Sequence, residues 1–205
     1  MSREASPFSP GRRAMLEWIR QDLYSSGLTG TTLAPISFFA VAQGASAGNF
    51  TNMETPNAVQ NPKVFRWLGI RIHIQQSAVA RVVENTATLV STSDAANILE
   101  SYFLTTQIGP KQYVQAPLFA LPSGFGLWFS GTMTGTNANP IQNGVNANGV
   151  PSFNNFMKFG RKVITLVPNQ NFQVVANLGT ATSASVAVTT RLWCFLVGIL
   201  GRETL

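Results

Sequence analysis

The amino-acid sequence predicts an all-β protein with one β-sandwich or barrel and little helix. The clearest strand covers residues 65–75, where Leu68, Ile70, Ile72 and Ile74 alternate with polar residues or glycine in the period-two pattern of a half-buried strand. Turn-forming residues separate about eight short apolar segments, and no repeat of fixed period is present. The length of 205 residues suits a single domain of this class.

Residues 1–30 are predicted to form an N-terminal arm and a helix that precede the β-sandwich domain at 31–205. Prolines and a glycine oppose regular structure over residues 1–12. A helix is predicted over residues 13–24, because its apolar residues recur at helical spacing and Gly27 provides a stop signal. The apolar residues of this stripe are Met15, Leu16, Ile19 and Leu23.

The rest of the chain is predicted as strands joined by loops. Residues 93–104 fit a short helix capped by Ser93, and a strand over residues 98–108 is the alternative. Residues 134–152 form a long polar loop, and loops of this length are usually functional or flexible. The predicted strands cover residues 36–43, 65–75, 78–83, 87–91, 113–121, 124–132, 156–167, 171–178 and 185–200.

The low content of charged residues indicates a protein whose surface is largely interface. Only 11% of the residues are charged, against roughly 25% in ordinary soluble domains. Asn, Gln, Thr and Ser fill the polar positions instead, and neutral polar groups cost less to desolvate against another subunit. A secreted β-domain with a plain surface is the alternative interpretation.

The residues that usually carry catalysis or bind metals are scarce. The only histidine is His73, and the only cysteine, Cys194, lies in the apolar run 192–200, where a buried inert thiol is expected. We therefore predict no enzyme activity, no catalytic residue, no metal or cofactor site, and no small-molecule substrate. A carbohydrate hydrolase is the enzymatic alternative, and its paired carboxylates would come from Glu54, Glu84, Asp94 and Glu100.

The C-terminal half has a recognisable order of strands and turns. It reads KVITLVP at 162–168, NQNFQV at 169–174, VAVTTRL at 186–192 and VGILGR at 197–202. This layout resembles the jelly-roll capsid and capsid-associated virion proteins of bacterial viruses (bacteriophages), in which a strand, a proline turn, a strand, a loop and a glycine-ended strand follow one another. The segment QAPLFALPSGF at 115–125 looks like the region before the second half of such a fold. The resemblance covers residues 110–205.

The resemblance implies a single jelly-roll sandwich of about eight strands in a structural protein located in the virion. Such a protein would form a homo-oligomer or bind other virion proteins, to build or cement the particle. Because the net charge is +6, a weak contact with the genome or with lipid head groups is a further expectation. The alternative is a lectin-like or receptor-binding β-sandwich that would use the loop 134–152.

Six residues are candidates for the assembly interface. Arg71 and His73 alternate with buried isoleucines on one strand, so both should project from the outer face of a sheet. A pH-sensitive contact at His73 between pH 5 and 8 is one hypothesis. The full set consists of Phe8, Arg12, Arg13, Trp18, Arg71 and His73.

One run of aromatic and basic residues has a second interpretation. Platforms that stack nucleic-acid bases combine aromatic rings with basic side chains. Phe156, Lys158, Phe159 and Arg161 could supply such a platform, although ordinary core packing is the alternative.

Overall fold

Distant segments of the chain pair to form two antiparallel sheets. The computed structural model describes residues 16–45, 49–75, 92–123, 152, 154–160, 163–179, 186 and 189–203. The strands of this part of the chain are β1 (Leu16–Arg20), β2 (Leu23–Leu28), β3 (Ile36–Phe38), β4 (Val64–Gln75), β5 (Tyr102–Ile108), β6 (Lys111–Pro117), β7 (Met157–Lys158), β8 (Ile164–Leu166), β9 (Phe172–Leu178) and β10 (Arg191–Glu203). The helix α1 covers Thr92–Ser101, and a short 3-10 helix covers Leu118–Ala120.

The larger sheet is organised around β10. Strands β1 and β2 pair one after the other along one side of β10, and β4 pairs along its other side. Strands β7 and β8 then pair with the far side of β4. The smaller sheet has the order β3-β9-β5-β6. The two sheets form a sandwich-like arrangement, so the predicted all-β class is confirmed.

The core lies between the sheets and follows the alternation of the strands. On β10, Leu192, Cys194 and Leu196 are fully buried and belong to the same apolar cluster as Leu104 of β5 and Val174 of β9. Because side chains alternate across a strand, the neighbouring residues of β10 project from the outer face of the larger sheet.

The predicted helix over residues 13–24 is wrong in the part that the structure describes. Residues 16–20 and 23–28 are strands β1 and β2, which pair with β10 over registers that include Ile19 with Leu200 and Leu23 with Leu196. The helical spacing of Ile19 and Leu23 arises because the inward position between them, Gln21, falls in the break between the two strands. Tertiary pairing therefore overrides the local pattern.

Other predicted elements agree with the structure in varying degree. The predicted strands at 65–75 and 171–178 are confirmed as β4 and β9. Over residues 93–108 each alternative holds for one part, since α1 ends at Ser101 and β5 begins at Tyr102. The segment 156–167 forms two short strands instead of one, because Gly160 adopts a φ of 72° between them.

Five predicted elements cannot be compared with the structure. The predicted strands at 78–83, 87–91 and 124–132 lie outside the described residues. The same holds for the predicted loop 134–152 apart from Ser152, and for the predicted arm at residues 1–12.

An irregularity in the pairing of β4 with β10 sets which residues face outward. Val197 pairs with Gly69 and Gly198 pairs with Trp67, so Leu68 is an extra residue on β4. The bulge changes the phase of alternation, and Arg66 on one side of it and Arg71 on the other both reach the outer face. Gly198 is required here, because a β-carbon would overlap the carbonyl oxygen of Arg66 and the ring of Phe65.

Candidate interaction surface

The outer face of the larger sheet carries two groups of side chains with different chemistry. The first, called the aromatic zone, consists of the rings of Tyr24, Phe50, Trp193 and Phe195. It also includes the side chains of Arg71, His73 and Arg191, which lie against or opposite these rings. The second, called the cationic row, consists of Arg20, Arg66 and Lys158.

Cross-strand pairing builds the aromatic zone. Trp193 and Phe195 are outward residues of β10, and Tyr24 of β2 lies opposite Phe195. Phe50 comes from a loop that is tied to β2 in both directions: its carbonyl oxygen accepts from the Ser26 N–H at 2.8 Å, and its N–H donates to Ser26 Oγ at 2.9 Å. The ring centroids of Phe50 and Trp193 are 5.6 Å apart with planes inclined by 15°, and those of Trp193 and Phe195 are 6.2 Å apart at 18°.

Two buried guanidinium groups lie against these rings. The Arg191 guanidinium is 4.4 Å from the centroid of Phe50, and that of Arg71 is 4.9 Å from the centroid of Phe195. Burial lowers the pKa of both arginines, and they remain charged because a guanidinium group stays protonated in proteins. Cation–π contacts of this type stabilise more when they are shielded from water. The zone is thus a layer in which aromatic rings and charged groups pack against one another.

A buried ion pair anchors this layer at the break between β1 and β2. Asp22 Oδ2 accepts a hydrogen bond from Arg71 Nη2 at 2.8 Å, and both side chains are largely buried. Its other oxygen, Oδ1, accepts from the Gly198 N–H at 3.3 Å. Asn52 forms hydrogen bonds on both sides of the same break. Its Nδ2 donates to the Asp22 carbonyl oxygen at 2.9 Å, and its Oδ1 accepts from the Tyr24 N–H at 2.8 Å.

His73 lies opposite Trp193 in the aromatic zone and is held neutral. Burial, and then the positive charge of Arg71, lowers the pKa of His73 from 6.5 to about 4. The next outward residue of β4, Gln75, accepts a hydrogen bond from Trp193 Nε1 at 2.8 Å. A pKa near 4 argues against the hypothesis that His73 changes charge between pH 5 and 8.

The cationic row crosses the sheet at the bulged end of β4. Arg20 of β1 and Arg66 of β4 both lie opposite Ile199 of the strand between them, and Lys158 of β7 lies opposite Gly69 of β4. All three basic side chains are exposed. The Arg66 guanidinium is 4.3 Å from the centroid of the Trp18 ring. The ion pairs among the described residues join Asp22, Glu17 and Glu54 to other partners, so none of them uses Arg66 or Lys158.

The outer face of the smaller sheet contrasts with this pattern. Gln107 of β5 pairs with Gln112 of β6 and with Gln173 of β9, and the next row holds Thr105 between Gln115 and Val175. These cross-strand rows contain no charged residue. These two rows of the smaller sheet are therefore neutral and rich in amides, in contrast to the basic and aromatic side chains on the larger sheet.

A small groove lies beside the break between β1 and β2. Its volume is about 180 Å³, which is below the range of about 300–1,000 Å³ for small-molecule pockets. Its charged side chains include Glu54 and Lys63, which form an ion pair at 2.6 Å. Within the described ranges, no three potential metal-ligating side chains cluster together, and no helix has the length and apolarity required to cross a membrane.

The candidate interface residues are divided between the two groups. Arg71 and His73 are neighbours in the aromatic zone, whereas Trp18, 38% exposed, lies beside the cationic row. Phe8, Arg12 and Arg13 lie outside the described residues.

The candidate base-stacking run is only partly brought together. Lys158 Nζ lies 5.4 Å from the centroid of the Phe156 ring on the outer face. The Phe159 ring instead packs edge-on against Trp67 at 4.8 Å and is partly buried against the core. Arg161 lies outside the described residues.

Sequence reasoning missed most of the aromatic zone. The alternation of Arg191, Trp193 and Phe195 with Leu192 and Cys194 is visible in the sequence, but the run 192–200 reads as one continuous apolar stretch. Phe50 has no local signal, because the loop that carries it is positioned by contacts with β2.

We compared the chain with models of known protein families, with characterised proteins and with solved structures, and it matches none of them.

Proposed function

We propose that this protein is a virion structural protein that associates with itself or with other capsid proteins to build or cement a viral particle. The aromatic zone carries this proposal, because it combines Tyr, Trp, Phe and Arg, the residue types enriched at interface cores and binding hot spots. Phe50, which stacks on Trp193 in this zone, is 49% exposed. Side chains already held by stacking and cation–π contacts lose little conformational freedom when a partner covers them.

The strand order supports a jelly roll as the finer description of the sandwich. Strands β1 and β2 follow one another along one side of β10, and β7 and β8 do so along β4. If each of these pairs counts as one interrupted strand, the described part of the chain has eight strands. The sheet orders become 1-8-3-6 and 2-7-4-5, which are the orders expected of a jelly roll built from two Greek keys. Viral capsid proteins are among the proteins that use this architecture.

The remaining surface also favours a role in assembly. The neutral outer face of the smaller sheet can be covered by a neighbouring subunit without the large desolvation penalty of charged groups. The edges of the two sheets add to this, since β1, β7, β3 and β6 are the outermost strands within the described residues. An edge strand offers backbone groups to a further chain.

A variant of the exposed ring of Phe50 in the aromatic zone tests the proposal. We expect the purified wild-type protein to sediment as an oligomer or to form particles visible by electron microscopy, and Phe50→Ser to shift the population toward monomer. Phe119→Ser is the matched control, because Phe119 is 61% exposed on the short 3-10 helix next to the smaller sheet. A wild-type protein that stays monomeric at high concentration, or equal losses in both variants, contradicts the proposal.

A further inference from the structure

We propose that strand β1 pairs with β1 of a second copy of this chain, antiparallel and about a two-fold axis that passes beside Ile19. This contact rests on the proposed self-association and deepens it, because it specifies a second surface, its occupant and its register. It uses residues outside the aromatic zone. The larger sheets of the two copies would form one continuous sheet across the axis.

The outer edge of β1 is the first observation. Strand β1 pairs with β10 along one side, from Leu16 opposite Glu203 to Arg20 opposite Ile199, and no other described strand pairs with it. The strand contains no proline, so none of its residues lacks a backbone donor. An edge of this kind presents backbone N–H and C=O groups that a further strand can satisfy.

The small groove beside the break between β1 and β2 is the second observation. Ile19 and Gln21 line it from the side of β1, together with Leu200, which lies opposite Ile19 on β10. Directly opposite residues of paired strands point to the same face of the sheet. The inward side chains of an added strand would therefore lie next to Ile19 and beside this groove. Such a strand would gain apolar contacts as well as backbone hydrogen bonds.

The side chains of β1 favour a register centred on Ile19. A two-fold axis perpendicular to the sheet places one residue of the strand opposite its own copy. With Ile19 in that position, the inward pairs are Ile19 with Ile19 and Glu17 with Gln21. The outward pair is Trp18 with Arg20, so no like charges meet. Apolar residues thus oppose apolar ones, and the carboxylate opposes an amide.

The neighbouring registers are less favourable. Centres at Glu17 and at Arg20 would each oppose two like charges directly, which destabilises a strand pair. A centre at Trp18 would place the Glu17 carboxylate opposite the apolar side chain of Ile19, where the charge would lose water without gaining a partner. The composition of the strand therefore selects one register for a second copy.

Cysteine cross-linking tests the contact and its register. Cys194 is fully buried and burial raises the pKa of its thiol, so the wild-type chain is an unreactive background. Opposite residues of an antiparallel pair have Cα atoms about 4.5–5.5 Å apart, which a disulfide can span. Under mild oxidation we expect Ile19→Cys to give at least about five-fold more disulfide-linked dimer than Trp18→Cys. Gln173→Cys is the control for random collision, because Gln173 is exposed on β9, an interior strand of the smaller sheet.

Charge changes at Gln21 give a second test that leaves Ile19 intact. In the proposed register, Gln21→Glu places two pairs of like charges across the axis, so the dimer dissociation constant measured by sedimentation should rise about five- to ten-fold. Gln21→Lys faces Glu17 with the opposite charge and should lower the constant by a similar factor. Both effects should largely vanish when Glu17→Gln is added. Gln173→Glu and Gln173→Lys are the matched controls and should change the constant little.

Several results overturn the β1 contact. These are an oligomeric protein in which Ile19→Cys gives no more dimer than Gln173→Cys, a higher yield from Trp18→Cys, and shifts of the same sign in the two Gln21 variants. Phe50→Ser distinguishes this failure from that of the assembly proposal, since it should leave the Ile19→Cys dimer intact. An oligomer that Phe50→Ser weakens but that lacks the cross-link contradicts the β1 contact alone. Thermal unfolding of each variant checks that the fold is intact.

Discussion

The carboxylate of Asp22 and the backbone N–H of Gly198, 176 residues apart in the sequence, are joined by a hydrogen bond of 3.3 Å. The same carboxylate holds Arg71 of β4 at 2.8 Å. The Asp22 side chain, which lies where β1 ends and β2 begins, therefore connects this break with both β4 and β10. The aromatic zone depends on this tie, because Arg71 packs on Phe195.

Loss of the Asp22 carboxylate should destabilise the protein. Asp22→Asn leaves the largely buried Arg71 without its counter-ion, and we expect a decrease of roughly 2–3 kcal/mol in the free energy of unfolding. Glu17→Gln, which breaks the exposed ion pair with Arg202, should change it by less than about 1 kcal/mol. Urea denaturation of both variants measures the difference, and equal effects would contradict the anchoring role.

His73 should make stability fall in acid. Its pKa is about 4 in the folded protein and near 6.5 when unfolded, so between these values only the unfolded chain binds the proton. Stability from the neutral imidazole is therefore complete above pH 6.5 and is lost as the pH falls toward 4, up to about 3 kcal/mol. Unfolding free energies of wild type and His73→Gln should converge over this range. Parallel pH profiles would show that His73 does not contribute.

Thr106 should tolerate the loss of its hydroxyl. Its Oγ1 is buried in β5 and has no hydrogen-bond partner in the described part of the chain. Thr106→Val keeps the shape and removes this penalty, so we expect no loss of stability or a gain of about 1 kcal/mol. Thr29→Val should instead cost about 1–3 kcal/mol, because Thr29 Oγ1 both donates to and accepts from the backbone of Thr190. A larger loss in Thr106→Val than in Thr29→Val would refute this assignment.

Gly198 should resist even the smallest substitution. A β-carbon there would overlap the Arg66 carbonyl oxygen and the Phe65 ring, so Gly198→Ala should reduce the free energy of unfolding by about 1–3 kcal/mol. Gly179→Ala is the control, since its β-carbon would meet only the Ser101 carbonyl oxygen, at 3.7 Å. Melting temperatures compare the two, and similar shifts would mean that the close approach at Gly198 is not limiting.

The parts of the fold that sequence reasoning predicted are those with a strong local pattern. In β4 the isoleucines at 70, 72 and 74 mark the inward face without help from other strands. In β2 the corresponding inward positions after Leu23 are Ser25 and Gly27, whose burial depends on hydrogen bonding and close packing. No window of sequence around these residues carries the signal of a buried strand.

The candidate surface also has one part that the sequence predicted and one part that it did not. The outward direction of Arg71 and His73 followed from alternation within one strand. The contact of Arg66 with Trp18 required the bulge at Leu68 and the pairing of β1 with β10, both of which arise from distant residues.

The central position of β10 has a consequence for synthesis of the chain. On the ribosome, residues 16–28 and 64–75 emerge long before residues 191–203, the strand that pairs with both of them. Until then the nascent chain contains β1, β2 and β4 without the strand that pairs with all three, and exposed strand edges favour aggregation. Completion of the larger sheet is therefore a late event, and delay in translating residues 191–203 would lengthen the period in which these strand edges are exposed.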